Sequence, residues 1–182
     1  PDFISLSKGL TSGYLPLSAT GISSKIWMEI ENKIPPGLIF ANALTTSNHA
    51  ASCAVALANI EIIEKEQLVK NSKVQGQYLL KQLKVEFKKN PMVKEIRGMG
   101  LMAGINWKNN RDAPDNYMGR KKVLANKVFA NEYSINFVSE CLKRGLIVRP
   151  VGPNTVLAPP LCTSKKEVDE IVSIMVESAK HT

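Results

Sequence analysis

Cysteine, histidine and aromatic residues are scarce in this sequence, and no long apolar run interrupts it. The three cysteines, Cys53, Cys141 and Cys162, lie far apart and form no CxxC pair. An odd, scattered set fits reduced thiols in a cytoplasmic protein and does not make a disulfide framework. The two histidines, His49 and His181, cannot build a metal centre by themselves, and no cluster with metal-ligand spacing accompanies them. Apolar runs fall well short of the roughly 20 residues that a membrane span needs. No basic-then-apolar leader opens the chain, so neither a membrane nor a secretory route is indicated. Aromatics make up 6% of residues and do not interleave with basic positions as a nucleic-acid surface requires. That matters because the formal net charge is +8. The lysines, among them Lys81, Lys84, Lys88 and Lys89, fall along helical faces, where solvation explains them without a nucleic-acid partner.

What remains is an ordinary soluble composition, 44% apolar with both charge signs over 182 residues, enough to bury a core. The first residue is Pro1, which reads as loss of an initiator methionine or as a cut from something longer. The stretch that organises the rest lies near the start. Phe3-Ile4-Ser5-Leu6 reads as a short buried strand. It delivers Lys8 into a turn with Gly9 and Gly13 beyond it. Glycines there let the backbone bend sharply and pass close to a bound group. Desolvation of a lysine ammonium is costly and favours the neutral amine that a Schiff base requires. A solvated surface lysine is the alternative.

Downstream, residues 17–22 read as a second strand. Ser23 or Ser24 caps a short helix that Pro35-Pro36-Gly37 ends. Leu38-Ile39-Phe40 suggests a short extended piece. Residues 42–49 concentrate hydroxyls and amides before a helix over 50–66. They offer either phosphate donors or, more simply, an N-cap from Ser47 or Asn48. The first half of that helix is apolar nearly all round and predicts deep burial. A lysine-rich amphipathic helix follows over 67–89, with a stripe of Leu68, Val69, Val74, Leu79, Leu80, Leu83 and Phe87. Residues 93–96 and 101–107 form strands around Arg97-Gly98-Met99-Gly100. This Gly-x-Gly lies between strands, so a hairpin is indicated and not a nucleotide loop. A polar loop over 108–120 precedes a helix over 121–144 that buries Val123, Leu124, Val128, Phe129, Ile135, Val138 and Leu142. Gly145 closes that helix. Strands over 146–150 and 155–158 and a final helix opened by the capping box Ser164-x-x-Glu167 complete the chain.

Several of these segments together resemble the class III aminotransferases, pyridoxal-phosphate enzymes of fold type I. "PDFISLSKGLTSGYLPLSA" resembles the family's cofactor-lysine segment. Residues 40–50 resemble its F-x-H-G-x-T-Y-S-G-H-P motif at Phe40, Thr45, Ser47 and His49, and depart at Asn42, Ala43, Thr46, Asn48 and Ala50. Arg97-Gly98-Met99-Gly100-Leu101-Met102 and "RGLIVRPVGPNTVLAPPLCTSKKEVDEI" also look like the family's. The resemblance implies an α/β fold, with the end of the large cofactor domain over 1–62 and a C-terminal α+β small domain over 63–182. It implies that Lys8 holds pyridoxal 5′-phosphate as a Schiff base, and that Thr45 reaches the cofactor phosphate of a neighbouring subunit in a homodimer with shared sites. Arg149 matches the arginine that receives a substrate carboxylate, although a structural ion pair at a strand end is the other reading. The implied reaction moves an amino group from an amine or ω-amino acid to a 2-oxo acid. The family's glycine/serine phosphate loop, its stacking aromatic and its ring-pairing aspartate lie upstream of the lysine and are not in these residues. An incomplete, inactive chain that needs its upstream half is therefore expected. Another pyridoxal-phosphate reaction, such as an aminomutase or racemase, and a non-catalytic remnant are the alternatives.

Overall fold

A computed structural model describes residues 1–40, 44–108 and 132–182. The chain forms two compact units, Pro1–Gln67 and Leu68–Thr182. Among the described residues no helix is long and apolar enough to cross a membrane.

The first unit opens with β1 (Phe3–Leu6), antiparallel to β2 (Ala19–Ile22), with Phe3 opposite Ile22 and Leu6 opposite Ala19. Helix α1 (Ser24–Glu31) starts at an N-cap Ser23, whose hydroxyl accepts from the Ile26 amide, as the sequence predicts. Residues 38–40 form no strand. Helix α2 (Ala50–Lys65) is capped by His49, whose Nδ1 accepts from the Ser52 amide at 3.3 Å. Neither Ser47 nor Asn48 takes that place. Asn48 has φ +56°, and the Ser47 hydroxyl turns back to accept from the Leu44 amide.

Two burial expectations fail in this unit. β1 is exposed throughout, with Phe3 at 55% and Ile4 at 50%. In α2 only Ser52 and Ala56 are buried, whereas Leu57, Ile60 and Ile62 are exposed. Apolar patterning records which residues favour burial. A two-stranded ribbon and two helices offer too little surface to cover them all.

The second unit has a core of its own. Helix α3 (Leu68–Glu86), β3 (Val93–Met99), β4 (Met102–Trp107), α4 (Glu132–Lys143), β5 (Arg149–Val151), β6 (Asn154–Leu157) and α5 (Lys165–Lys180) follow in order. The four strands form one antiparallel sheet in the order β3-β4-β6-β5. β4 alternates cleanly: Ala103, Ile105 and Trp107 are buried, as a half-covered strand requires. They meet Leu79 and Leu83 of α3, Phe137 and Cys141 of α4, and Val168, Val172 and Met175 of α5. Trp107 is packed against Phe137 with ring centroids 4.9 Å apart, and its indole N–H donates to Thr155 Oγ1 at 2.9 Å. The buried indole therefore leaves no orphan donor.

The Gly-x-Gly segment is the tip of the β3–β4 hairpin and lies on α3. A Cβ on Gly76 would stand 2.0 Å from the Gly100 carbonyl, so only glycine permits this helix–hairpin approach. Val69 and Val74, expected in the buried stripe of α3, are exposed. The helix turns its Gly76, Leu79 and Leu83 side inward instead. At the end of α4 the Leu146 amide donates to the Cys141 carbonyl and the Gly145 amide to the Leu142 carbonyl, a Schellman closure around Gly145. Ile135 and Leu142 are exposed, contrary to the expected stripe. The rest of that predicted helix, with Val123, Leu124, Val128 and Phe129, and the loop before it lie outside the described residues. The capping box is formed: the Ser164 hydroxyl accepts from the Glu167 amide, and the Glu167 carboxylate accepts from the Ser164 amide at 2.7 Å.

Candidate active site

Lys8 starts a single 3-10 turn, Lys8–Leu10, immediately after β1. The Leu10 amide donates to the Ser7 carbonyl at 2.9 Å and the Tyr14 amide to the Thr11 carbonyl at 3.0 Å. Gly13 has φ +79°, a left-handed conformation that a side chain would strain. Thr11 is buried, and its hydroxyl donates to the Leu15 carbonyl at 2.6 Å. The backbone beneath Lys8 is thus tightly specified. Its side chain is exposed, and no acidic residue among those described pairs with it. The desolvated setting expected for this lysine is not supplied by these residues. The apolar side chains of β1, expected to be buried, stand uncovered beside it in sequence.

The turn is also tied to α2. Asn59 Nδ2 donates to the Gly9 carbonyl at 2.9 Å and to the Leu10 carbonyl at 3.0 Å, and its Oδ1 accepts from the Ser12 hydroxyl at 2.6 Å. Nothing in the local sequence pattern marks Asn59 as a partner of this turn. The only signal was a lone amide side chain within the apolar run Ala56-Leu57-Ala58-Asn59-Ile60.

Thr45 lies in the turn before the N-terminus of α2. It is exposed, and no hydrogen bond engages its hydroxyl among the described residues. Between Ala50 and Asn59 the helix rises about 14 Å at 1.5 Å per residue. The Thr45 turn and the Lys8 turn are therefore attached at separate points along α2, and no described hydrogen bond joins them. Asn42 and Ala43, two departures from the family motif, lie outside the described residues.

Arg149 belongs to the second unit and opens β5, an edge strand. It pairs with Val156, Val156 with Gly104, and Gly104 with Arg97. These four positions share the sheet face opposite Ala103, Thr155 and Leu157, which are buried in the core. Arg97 is held by Glu95 at 2.8 Å and Arg144 by Glu140 at 2.6 Å. Arg149 is the one arginine without an acidic partner among the described residues. A hollow of about 350 Å³ in the same unit is lined by Leu146, Ile147, Pro159, Pro160 and Cys162. It includes none of the three predicted site residues.

Comparison with known proteins bears on the whole chain. The family pattern described as aminotransferase class-III matches residues 1–178. An uncharacterised aminotransferase of Sinorhizobium fredii is 38% identical over 98% of this chain and 36% of its own length. A diaminobutyrate–2-oxoglutarate transaminase of Halomonas elongata is 34% identical over 95% of this chain and 35% of its own. Among solved structures, an amine transaminase from an uncultivated Pseudomonas species in its PLP-bound form matches with TM-score 0.84 at 30% identity. That match covers 100% of this chain and 38% of the other. The chain therefore spans about a third of the length of the curated relatives it matches. With its pattern covering nearly every residue, the chain belongs to the class III aminotransferases, a family whose cofactor is pyridoxal 5′-phosphate.

Proposed function

We propose that these residues supply the lysine-bearing end of the large domain and the small domain of a transaminase that moves an amino group from an amine or ω-amino acid to a 2-oxo acid. The observation that carries the reading is the setting of Lys8: an exposed amine, unpaired among the described residues, on a turn whose backbone is fixed by hydrogen bonds on both sides. The donor set fits pyridoxal phosphate. Nothing among the described residues stands within 4 Å of a Cβ built on Gly9, beside the lysine, and Thr45 offers a hydroxyl, unengaged among the described residues, of the kind that takes a phosphate oxygen. Lys8 and Thr45 would hold the group, and when bound it supplies an electron sink for the substrate's α-carbon.

The chain's own residues then have separate tasks. Lys8 Nζ would hold the cofactor covalently. Its amine, when free, would take a proton from the substrate carbon at Nζ and hold it there for return to the substrate, as a positioned base does. Arg149 clamps a substrate carboxylate through its planar fork. The separate attachment of the Thr45 and Lys8 turns along α2 favours a homodimer in which Thr45 serves the partner's site. Relatives named for diaminobutyrate and γ-aminobutyrate favour donors with an amine remote from a carboxylate. The phosphate loop, stacking aromatic and ring-pairing aspartate come from residues other than these 182, and the uncovered apolar surface of β1 and α2 faces that missing part.

Borohydride reduction of cofactor-loaded protein followed by peptide mapping tests the reading. A pyridoxyl adduct is expected on Lys8, with exchange of amino groups between an amine and a 2-oxo acid before reduction. An adduct on another lysine would overturn it.

A further inference from the structure

Asn59 occupies the middle of α2, where asparagine is a poorer helix former than the alanines around it. Its side chain does not face solvent idly. Both Nδ2 hydrogens go to consecutive carbonyls of the lysine turn, Gly9 and Leu10, at 2.9 and 3.0 Å. The Ser12 hydroxyl donates to Oδ1 at 2.6 Å. The arrangement specifies the amide's orientation. Flipped, it would set its oxygen against two carbonyl oxygens and lose both bonds. A 3-10 turn of three residues leaves these carbonyls without partners of its own. One side chain therefore fastens the turn to a helix from 50 residues away in sequence.

We propose that Asn59 is a positioning residue for Lys8: by holding the carbonyls of the two residues that follow the lysine, it fixes the direction in which the lysine side chain leaves the turn. The proposal rests on the reading of Lys8 as the cofactor lysine. It goes beyond that reading because nothing in a turn of this length obliges the amine to point one way. A lysine that must both carry the cofactor and return as a base needs a stable origin. A displacement of about 1 Å at such a group can cost about 10²-fold in rate.

The test uses the full-length polypeptide that carries this segment, loaded with pyridoxal phosphate. Asn59→Ala removes all three bonds, and Asn59→Asp keeps the acceptor for Ser12 while losing both donors. Three quantities are read at saturating cofactor: the lysine labelled on borohydride reduction, the pH midpoint of the visible band of the lysine-linked cofactor, and kcat with KM for the amine. In both variants Lys8 should still carry the label. The band midpoint should move from the parent's, and kcat should fall about 10–10²-fold with KM nearly constant. Should Asn59→Ala not fold, Ser12→Ala, at an exposed position, loosens the same amide and should move the midpoint in the same direction by less. An unchanged band midpoint with Lys8 labelled overturns the role of Asn59, as does a loss of activity that follows only the loss of folded protein. A label on another lysine in the parent overturns the reading of Lys8 instead, so the two failures are distinct.

Discussion

Replacing Gly76 with alanine sets two effects of opposite sign against each other. In the interior of a helix alanine is ordinarily better than glycine by about 1 kcal/mol. At Gly76, however, the new Cβ would stand 2.0 Å from the carbonyl carbon and oxygen of Gly100 and 2.6 Å from its Cα. All three are backbone atoms. Carbon contacts settle near 3.5–4.0 Å, so the hairpin tip must retreat by about 1.5 Å. The tip is not free to do so. The Leu101 amide donates to Ser72 Oγ at 3.2 Å, one turn earlier on the same helix, and Leu101 is buried. Overpacking of this kind costs about 1–3 kcal/mol, and loss of the Ser72 bond adds about 1 kcal/mol. Against the propensity gain, the net is a destabilisation of about 1–3 kcal/mol, seen as a fall in Tm of roughly 2–10 °C for a chain of this size. Thermal melts of the purified protein would read it, with Lys73→Ala at an exposed position of the same helix as the neutral control. A Tm raised by Gly76→Ala would refute the close approach.

Arg149→Lys keeps the charge but loses the bidentate fork. In steady-state assays it should raise KM about tenfold or more for carboxylate-bearing substrates, the cost of a charge-assisted hydrogen bond, and leave simple amines nearly unchanged. Equal effects on both would assign Arg149 a structural role. Glu140 gives a pH dependence. Hydrogen bonds from Lys143 and then Arg144 hold its carboxyl down to about 2. A lowered folded value means that its stabilisation is complete above the unfolded range near pH 4.5 and is lost as pH falls through about 2. The stability difference between the parent and Glu140→Gln should shrink across that window, and a difference constant down to pH 2 would dismiss the assignment.

Local signals in the sequence translated well where the physics is local. Ser164 and Glu167 form their capping box because both partners lie within one turn. Gly145 ends α4 for the same reason, and the Gly-x-Gly between two apolar strands can only be a hairpin tip. Long-range consequences were less legible. The apolar periodicity of α2 and β1 states a preference for burial without saying which surface satisfies it, and these strands and helices leave most of it exposed. Val69 and Val74 lie outside the core because the closeness of Gly76 to Gly100 sets the rotation of α3. No stripe of hydrophobic residues encodes that contact. The role of Asn59 is not legible locally because its partners are nearly fifty residues upstream. For Arg149 the identity of the residue was legible. Its lack of an acidic partner among the described residues was not, because an ion pair at a sheet edge depends on which side chains other elements bring beside it.

The strand that carries Arg149 has a further consequence for how the protein behaves in a crowded solution. β5 is three residues long, lies at the rim of its sheet and has Pro150 at its centre. Rim strands with free amides and carbonyls recruit foreign strands and seed aggregates. Here a would-be recruit meets a template too short to register on and lacking the donor that proline cannot provide. The arginine beside it adds charge repulsion toward any basic segment of a second copy. A guanidinium can therefore stand at an open sheet border without that border becoming sticky, and the rim remains available to small anions while it discourages polymerisation.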